Sequence, residues 1–164
     1  MQVKSEDVVR QYIERIKEVN HFLNAVGEDR FEDAIKEAIK ADKMCLDMSL
    51  IHLVKNYPLL GVPFTVKESC GLKGLPQYSG SIARFEKGIR AEKDCVVVEK
   101  LRAAGAIPLL VSNTPEFCMS WECYNHINGR VMNPYDSGRT SGGSSGGEGA
   151  LLGCGASLFG VGSG

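Results

Sequence analysis

The chain has 164 residues, of which 43% are hydrophobic and 24% are charged, with a formal net charge of −1 at pH 7. This is an ordinary globular composition, sufficient for one domain with a core of its own. The balanced charge gives no electrostatic reason to expect a nucleic-acid partner or an anionic membrane surface, and no run of apolar residues approaches the roughly 20 needed to span a bilayer.

Two amphipathic helices are predicted near the N-terminus. Ser5, followed by two acidic residues, is a typical helix start, because a hydroxyl cap and negative charge suit the positive end of the helix dipole. Apolar residues then recur at helical spacing to about Asn20. Residues 24–29 are interpreted as a connector, and the second helix begins near Arg30. Both apolar stripes are interpreted as core-facing; they contain Val8, Tyr12, Ile16 and Val19 in the first helix, and Phe31, Ala34, Ile35, Ala38 and Ile39 in the second.

A parallel α/β unit is predicted in the middle of the chain. Alternation of apolar and polar residues over Val62 to Val66 indicates a strand. The turn-rich residues 71–90 follow, then a helix that is capped by Asp94 and ends near Gly105, and then a short apolar strand at Ile107 to Val111. Because the order strand, loop, helix, strand is typical of parallel pairs, the predicted fold class is α/β.

The cysteines and histidines give no sign of a metal site. The six cysteines form no Cys-X-X-Cys pair and the three histidines lie far apart, so the spacing of a zinc site is absent. We interpret the cysteines as reduced, mostly buried thiols of a protein that faces the cytosol. No metal and no cofactor are predicted, and the first residues lack the apolar run of a signal peptide.

Two segments carry candidate chemistry. Lys67 ends the first predicted strand, where α/β proteins commonly place their sites, and burial disfavours the charged form of a lysine, so this residue is a candidate base. A lysine snorkelling at the sheet edge is the plainer alternative. Residues 139–148, RTSGGSSGGE, fit neither a Walker loop nor a dinucleotide fingerprint. Their two serines, placed between glycine pairs, would need a base such as Lys67 to take part in nucleophilic chemistry, and a flexible loop is the plainer alternative.

Four longer segments occur in one characteristic order: GVPFTVKE (61–68), DCVVVEKLRAAGAIPLLVSNTPEF (94–117), MNPYD (132–136) and GGSSGGEGALLGCGASLFGVGS (142–163). Together they resemble the amidase signature family, and the resemblance covers nearly the whole chain. It implies that residues 1–164 form the N-terminal part of a single amidase signature domain, with N-terminal helices packed on a partial mixed sheet. The segments CMSWECYN (118–125) and GGEGALLG (146–153) resemble the fatty-acid amide hydrolase branch of that family, in particular its second type.

The resemblance implies amide hydrolysis by a Ser–Ser–Lys triad. Lys67 matches the lysine of the triad, and Ser144 matches the bridging serine, which the family holds through a cis peptide bond. In the family, the neutral lysine takes a proton from the bridging serine, which in turn takes one from the nucleophilic serine. Ser145 matches an auxiliary serine, and Cys118 with Met119 matches a substrate-lining stretch, for which a plain core position is the alternative. The implied partner is a small-molecule amide of lipid type, and a homo-oligomer is left open.

No serine of the chain matches the family's nucleophile. In the family, Gly-Val-Gly-Ser is followed by an Asp-Ile-Gly-Gly-Ser-type segment that supplies the oxyanion hole and the nucleophilic serine, whereas Gly164 stands where the aspartate is expected. We therefore expect residues 1–164 to be the N-terminal part of an amidase, inactive by themselves, and cytoplasmic or membrane-associated within the full-length protein. Two alternatives stay open: a glutamine amidotransferase subunit, which would have a polar pocket, and a noncatalytic relic that only binds a partner or ligand.

Overall fold

The fold is described from a computed structural model, which describes residues 3–163. Met1, Gln2 and Gly164 lie outside this range, so the expectation about Gly164 stays a prediction. The helices are α1 (Ser5–Leu23), α2 (Phe31–Asp47), α3 (Leu50–Asn56), α4 (Ile82–Glu86), α5 (Val96–Ala103) and α6 (Gly146–Gly153), with a short 3-10 turn at Glu116–Cys118. The strands are β1 (Val26–Asp29), β2 (Pro63–Lys67), β3 (Ile107–Ser112), β4 (Tyr124–Asn125), β5 (Gly129–Arg130) and β6 (Gly160–Val161).

The main sheet has four strands in the order β1-β3-β2-β6. Strand β2 is parallel to β3, with Lys67 opposite Ser112, and it is also parallel to β6. Strand β1 runs antiparallel to β3. The sheet is therefore mixed, which confirms the predicted α/β class and the parallel pair.

Strand β1 is the main error of the prediction, which assigned residues 24–29 to a connector. The side chain of Asn20 accepts hydrogen bonds from the amides of Ala25 and Val26, at 2.8 and 3.0 Å, and so turns the chain directly out of α1. The segment VGED has no alternating pattern, and it is ordered as a strand by pairing along the free edge of β3.

The two predicted helix caps are also wrong. Asp42 of α2 accepts hydrogen bonds from the amides of Ser5 and Glu6, at 2.7 and 3.0 Å, so a carboxylate from a neighbouring helix satisfies the start of α1. The Ser5 hydroxyl instead donates to the Gly61 carbonyl at 2.8 Å. Asp94 lies before the N-cap of α5, where it accepts from the Lys73 amide and forms an ion pair with Arg102.

The two faces of β2 have different roles, since successive side chains of a strand point to opposite sides. Phe64 and Val66 belong to an apolar cluster that also contains Val98 of α5 and Val111 of β3. Thr65 and Lys67 therefore face the other side, where α6 packs against the strand. Within residues 3–163, no helix is both long enough and apolar enough to cross a membrane.

Candidate active site

Lys67 lies at the carboxyl end of β2 and is completely buried, with 0% of its surface exposed. Its Nζ lies 2.6 Å from Ser144 Oγ, 2.8 Å from Ser163 Oγ and 3.2 Å from the Ser163 carbonyl oxygen. These three oxygens come from the loop before α6 and from the residues after β6. The snorkelling alternative is excluded, because the amine is directed into the protein.

The two serines of the glycine-rich loop make different contacts. The Gly143–Ser144 peptide bond is cis, and the Ser144 carbonyl accepts a hydrogen bond from Thr114 Oγ1 at 3.3 Å. Ser145 Oγ donates to the Ser163 carbonyl at 2.9 Å and accepts from the Ser163 amide at 3.1 Å. Ser144 thus contacts the lysine, whereas Ser145 joins the loop to the segment that holds the lysine from the other side.

Cys118 and Met119 lie on a loop that borders the serines. Cys118 is half-buried, and its Sγ lies 3.2 Å from Thr114 Oγ1, the same hydroxyl that donates to Ser144. Met119 is 86% exposed, so it does not belong to the core that residues 3–163 form. The loop lies directly against Gly143, where an added Cβ would come within 2.5 Å of the Ser120 carbonyl oxygen. A substrate-lining role for Cys118 and Met119 stays a prediction.

Glu148 is the first residue in a buried series of contacts with hydroxyl groups beside Lys67. It is only 3% exposed, and its Oε2 lies 2.6 Å from Thr65 Oγ1. Thr65 Oγ1 in turn lies 2.8 Å from Ser157 Oγ, which donates to the Phe159 carbonyl at 2.9 Å. Burial raises the pKa of Glu148 to about 7, although hydrogen bonding with Ser112, hydrogen bonding with Thr65 and a positive charge on Lys67 oppose the shift.

Sequence reasoning missed four polar residues of this site: Thr65, Thr114, Glu148 and Ser163. Two of them leave a signal in the sequence. Thr65 precedes Lys67 by two residues on one strand, so both side chains must share a face, and Glu148 is an isolated acid among glycines and apolar residues. The contact between Lys67 and Ser163 depends on the pairing of β6 with β2, for which no local pattern exists.

Helix α6 packs closely against the backbone next to the loop that carries Ser144 and Ser145, and this packing leads to a stability prediction. An added Cβ at Gly147 would lie 2.5 Å from the Asn113 carbonyl oxygen and 3.0 Å from that of Ala25, and neither backbone can retreat freely. We expect Gly147→Ala to lower the free energy of unfolding by about 1–3 kcal/mol, the usual cost of overpacking. Urea unfolding of the purified chain measures the change.

Gly149 of the same helix is the matched control. It is exposed, and its added Cβ would meet the Ser141 carbonyl oxygen at an ordinary 3.4 Å. Gly149→Ala should therefore be neutral or stabilise the chain by up to about 1 kcal/mol through helix propensity. If both variants had the same stability, the close packing of α6 against β3 and its flanking residues would be wrong.

The sequence profile described as "Amidase" matches residues 7–164. The chain belongs to the amidase family. This confirms the resemblance in the sequence, including the α/β fold that it implied.

Individual members of the amidase family extend this result. The chain is 49% identical over 164 residues to fatty-acid amide hydrolase 2-B of Danio rerio, covering 99% of this chain and 31% of that protein. It is 46% identical over 163 residues to human fatty-acid amide hydrolase 2, covering 98% of this chain and 30% of that protein. A solved structure described as fatty acid amide hydrolase matches with a TM-score of 0.89 and 26% identity, over 98% of this chain and 27% of that one. The chain thus spans less than a third of the length of these relatives.

Proposed function

We propose that the protein carrying this chain hydrolyses fatty-acid amides, with Lys67 as the base and Ser144 as the bridging serine. The observation that carries the proposal is the 2.6 Å contact between Lys67 Nζ and Ser144 Oγ, made by a lysine with no exposed surface. The choice of fatty-acid amides rests on the relatives of the amidase family that bear this activity in their names.

The three oxygens around Lys67 can accept the three hydrogens of an ammonium group, and the proposed relay uses the neutral amine that remains after one hydrogen is lost. The neutral amine has two hydrogens and one lone pair. The Ser163 carbonyl can only accept a hydrogen bond, and the Ser163 hydroxyl can accept the second. The lone pair is then left for the Ser144 hydroxyl, which is the nearest of the three oxygens. Ser163 orients the amine in this arrangement, and Ser144 can pass its proton to it.

The remaining steps follow from general acid–base chemistry. Once Ser144 has given its proton to Lys67, its oxygen can take a proton from the hydroxyl of an attacking serine. The same path in reverse returns the proton to the leaving amine. We place the attacking serine in a segment after Ser163, as the family pattern implies, and not at Ser144 or Ser145.

The loop beside the serines supports an apolar substrate. Phe117, Met119 and Trp121 are 58%, 86% and 91% exposed, and this loop packs against Gly143. Apolar side chains at the mouth of a site favour an acyl chain over the polar pocket of a glutamine amidotransferase. A noncatalytic relic would have no need for a fully buried lysine that contacts two hydroxyl groups.

The full-length protein tests the proposal with oleamide and glutamine as competing substrates. We expect release of ammonia from oleamide only, and labelling by a fluorophosphonate at a serine that follows Ser163. Residues 1–164 expressed alone should give neither turnover nor labelling, since a base and a bridge lack the acyl acceptor and oxyanion donors. Labelling of Ser144 or Ser145 would contradict the assigned roles, and a full-length protein inactive on every amide would contradict the function.

A further inference from the structure

Glu148 is a buried acid that the proposed proton relay does not use. It lies in the first turn of α6, above the face of β2 that carries Thr65 and Lys67. Gly160 at the start of β6 is so close that any Cβ there would overlap Glu148 Oε2. The carboxyl group is therefore enclosed between α6, β2 and β6, in contact with the same strands that hold the lysine.

The hydrogen-bond network of Glu148 limits where its protons can lie, because it has three contacts and only two hydroxyl hydrogens. Ser157 has one hydroxyl hydrogen, which it donates to the Phe159 carbonyl. The 2.8 Å contact between Ser157 Oγ and Thr65 Oγ1 must then use the single hydroxyl hydrogen of Thr65. No hydrogen is left for the 2.6 Å contact between Thr65 Oγ1 and Glu148 Oε2 unless the carboxyl group supplies it. All three contacts are hydrogen bonds only when Glu148 is a protonated acid.

The second carboxyl oxygen makes no well-formed hydrogen bond. Within residues 3–163, Glu148 Oε1 and the buried Ser112 hydroxyl have no partner at hydrogen-bond geometry, although Ser112 is close enough to oppose the rise in the pKa of Glu148. An unpaired buried oxygen costs far more free energy on a carboxylate than on a neutral acid. The pKa of Glu148, raised to about 7, likewise favours the protonated acid.

Among the groups that face Glu148 in the described residues, one can carry a charge. Strand β2 contributes Thr65 and Lys67, strand β3 contributes Ser112, and the residues before β6 contribute Ser157. Among these neighbours only Lys67 can carry a charge near neutral pH. The protonation state of Glu148 therefore acts on the lysine alone.

We propose that Glu148 is a positioning residue that works as a neutral carboxylic acid. Its chain of hydrogen bonds through Thr65 and Ser157 fixes Phe159 and the start of β6, and the residues after β6 place Ser163 on Lys67 Nζ. By staying neutral, it adds no negative charge that would stabilise the ammonium form of Lys67 and remove the free base. The link to catalysis rests on the proposed function, whereas the protonation of Glu148 does not.

Urea unfolding of wild type and Glu148→Gln between pH 5 and 9 tests the protonation. A glutamine side chain can donate to Thr65 Oγ1 and cannot ionise. The pKa of Glu148 is about 7 in the folded state and near 4.5 in the unfolded state. The bound proton therefore stabilises the folded state fully below pH 4.5, and this stabilisation is lost as pH rises through about 7. The urea midpoint of wild type should therefore fall relative to that of Glu148→Gln from pH 5 to about 7 and then run parallel to it.

The exposed Glu99 supplies the matched control, since Glu99→Gln removes a carboxylate from the solvent face of α5. Its midpoint should keep a constant difference from wild type over the same range. If the difference between wild type and Glu148→Gln were equally constant from pH 5, Glu148 would be ionised throughout and the proposal would be overturned.

The dependence of kcat/KM on pH, measured with oleamide, tests the link to Lys67. We expect the ratio of Glu148→Gln to wild type to rise by about tenfold as pH increases through 7, because only the wild type gains a charge beside the lysine. Thr65→Val, which removes the hydroxyl that links Glu148 to Ser157, should lower kcat at every pH with little change in KM. A ratio independent of pH would overturn the catalytic link. If the full-length protein hydrolysed no amide, the proposed function would fail together with this link, and the urea series would still decide the protonation.

Discussion

Replacing Lys67 by alanine is expected to lower kcat/KM for amide hydrolysis by about 10³-fold, the usual contribution of a positioned general base. The proposed relay starts at Nζ, which lies 2.6 Å from Ser144 Oγ, and no other amine is found at this distance among the described residues. The measurement is steady-state hydrolysis of oleamide by the full-length protein at neutral pH.

Lys73→Ala is the matched control for this prediction. Lys73 is exposed, and within the described part of the chain only its backbone amide takes part in a hydrogen bond, to Asp94. It should keep wild-type turnover. Circular dichroism and the urea midpoint show whether Lys67→Ala remains folded. A folded Lys67→Ala variant with near wild-type turnover would exclude Lys67 as the base.

The sequence predicted the elements that carry a strong local pattern. Strand β2 alternates apolar and polar residues and strand β3 is a short apolar run, so both strands could be predicted, and their parallel pairing followed from the order of elements. Strand β1 and the carboxylate of Asp42 at the start of α1 could not be predicted in this way. Both depend on partners distant in the chain, β3 and α2 respectively, and tertiary contacts override weak local preference there.

The residues of the candidate site differ in the same way, since only those in segments with a recognisable pattern could be predicted. Lys67 and the serine pair stand in segments with a family pattern, and the structure brings Lys67 and Ser144 into contact. The family pattern places the nucleophile after Ser163 and assigns no role to Ser163 itself, although its hydroxyl and carbonyl both contact the amine. Glu148 could have been noticed, since an acid enclosed by glycines and apolar residues is expensive to bury without a role.

The second large effect is expected at Ser144. Replacing it by alanine removes the hydroxyl that lies between the lysine and an attacking serine, but leaves the amine and its contacts with Ser163 in place. A base that must act across the resulting gap, or through a water molecule, loses most of the benefit of a positioned proton acceptor. We expect kcat to fall by about 10²-fold to 10³-fold, while KM for oleamide changes little because the side chain is not assigned to substrate binding.

Ser145→Ala separates this effect from a general disturbance of the loop. Within residues 3–163, the Ser145 hydroxyl bonds only to the backbone of Ser163, so its loss removes two ordinary hydrogen bonds and no step of the relay. At about 0.5–1.5 kcal/mol for each bond, the two bonds contribute about 1–3 kcal/mol to stability. Only the part that displaces Ser163 from Lys67 reaches kcat/KM, so the expected loss is about tenfold. The expected losses of activity for Ser144→Ala and Ser145→Ala therefore differ in size, although the two residues are neighbours in the chain. If Ser145→Ala lost more activity than Ser144→Ala, Ser145 would be the serine that passes the proton, and the assignment of the two roles would have to be exchanged.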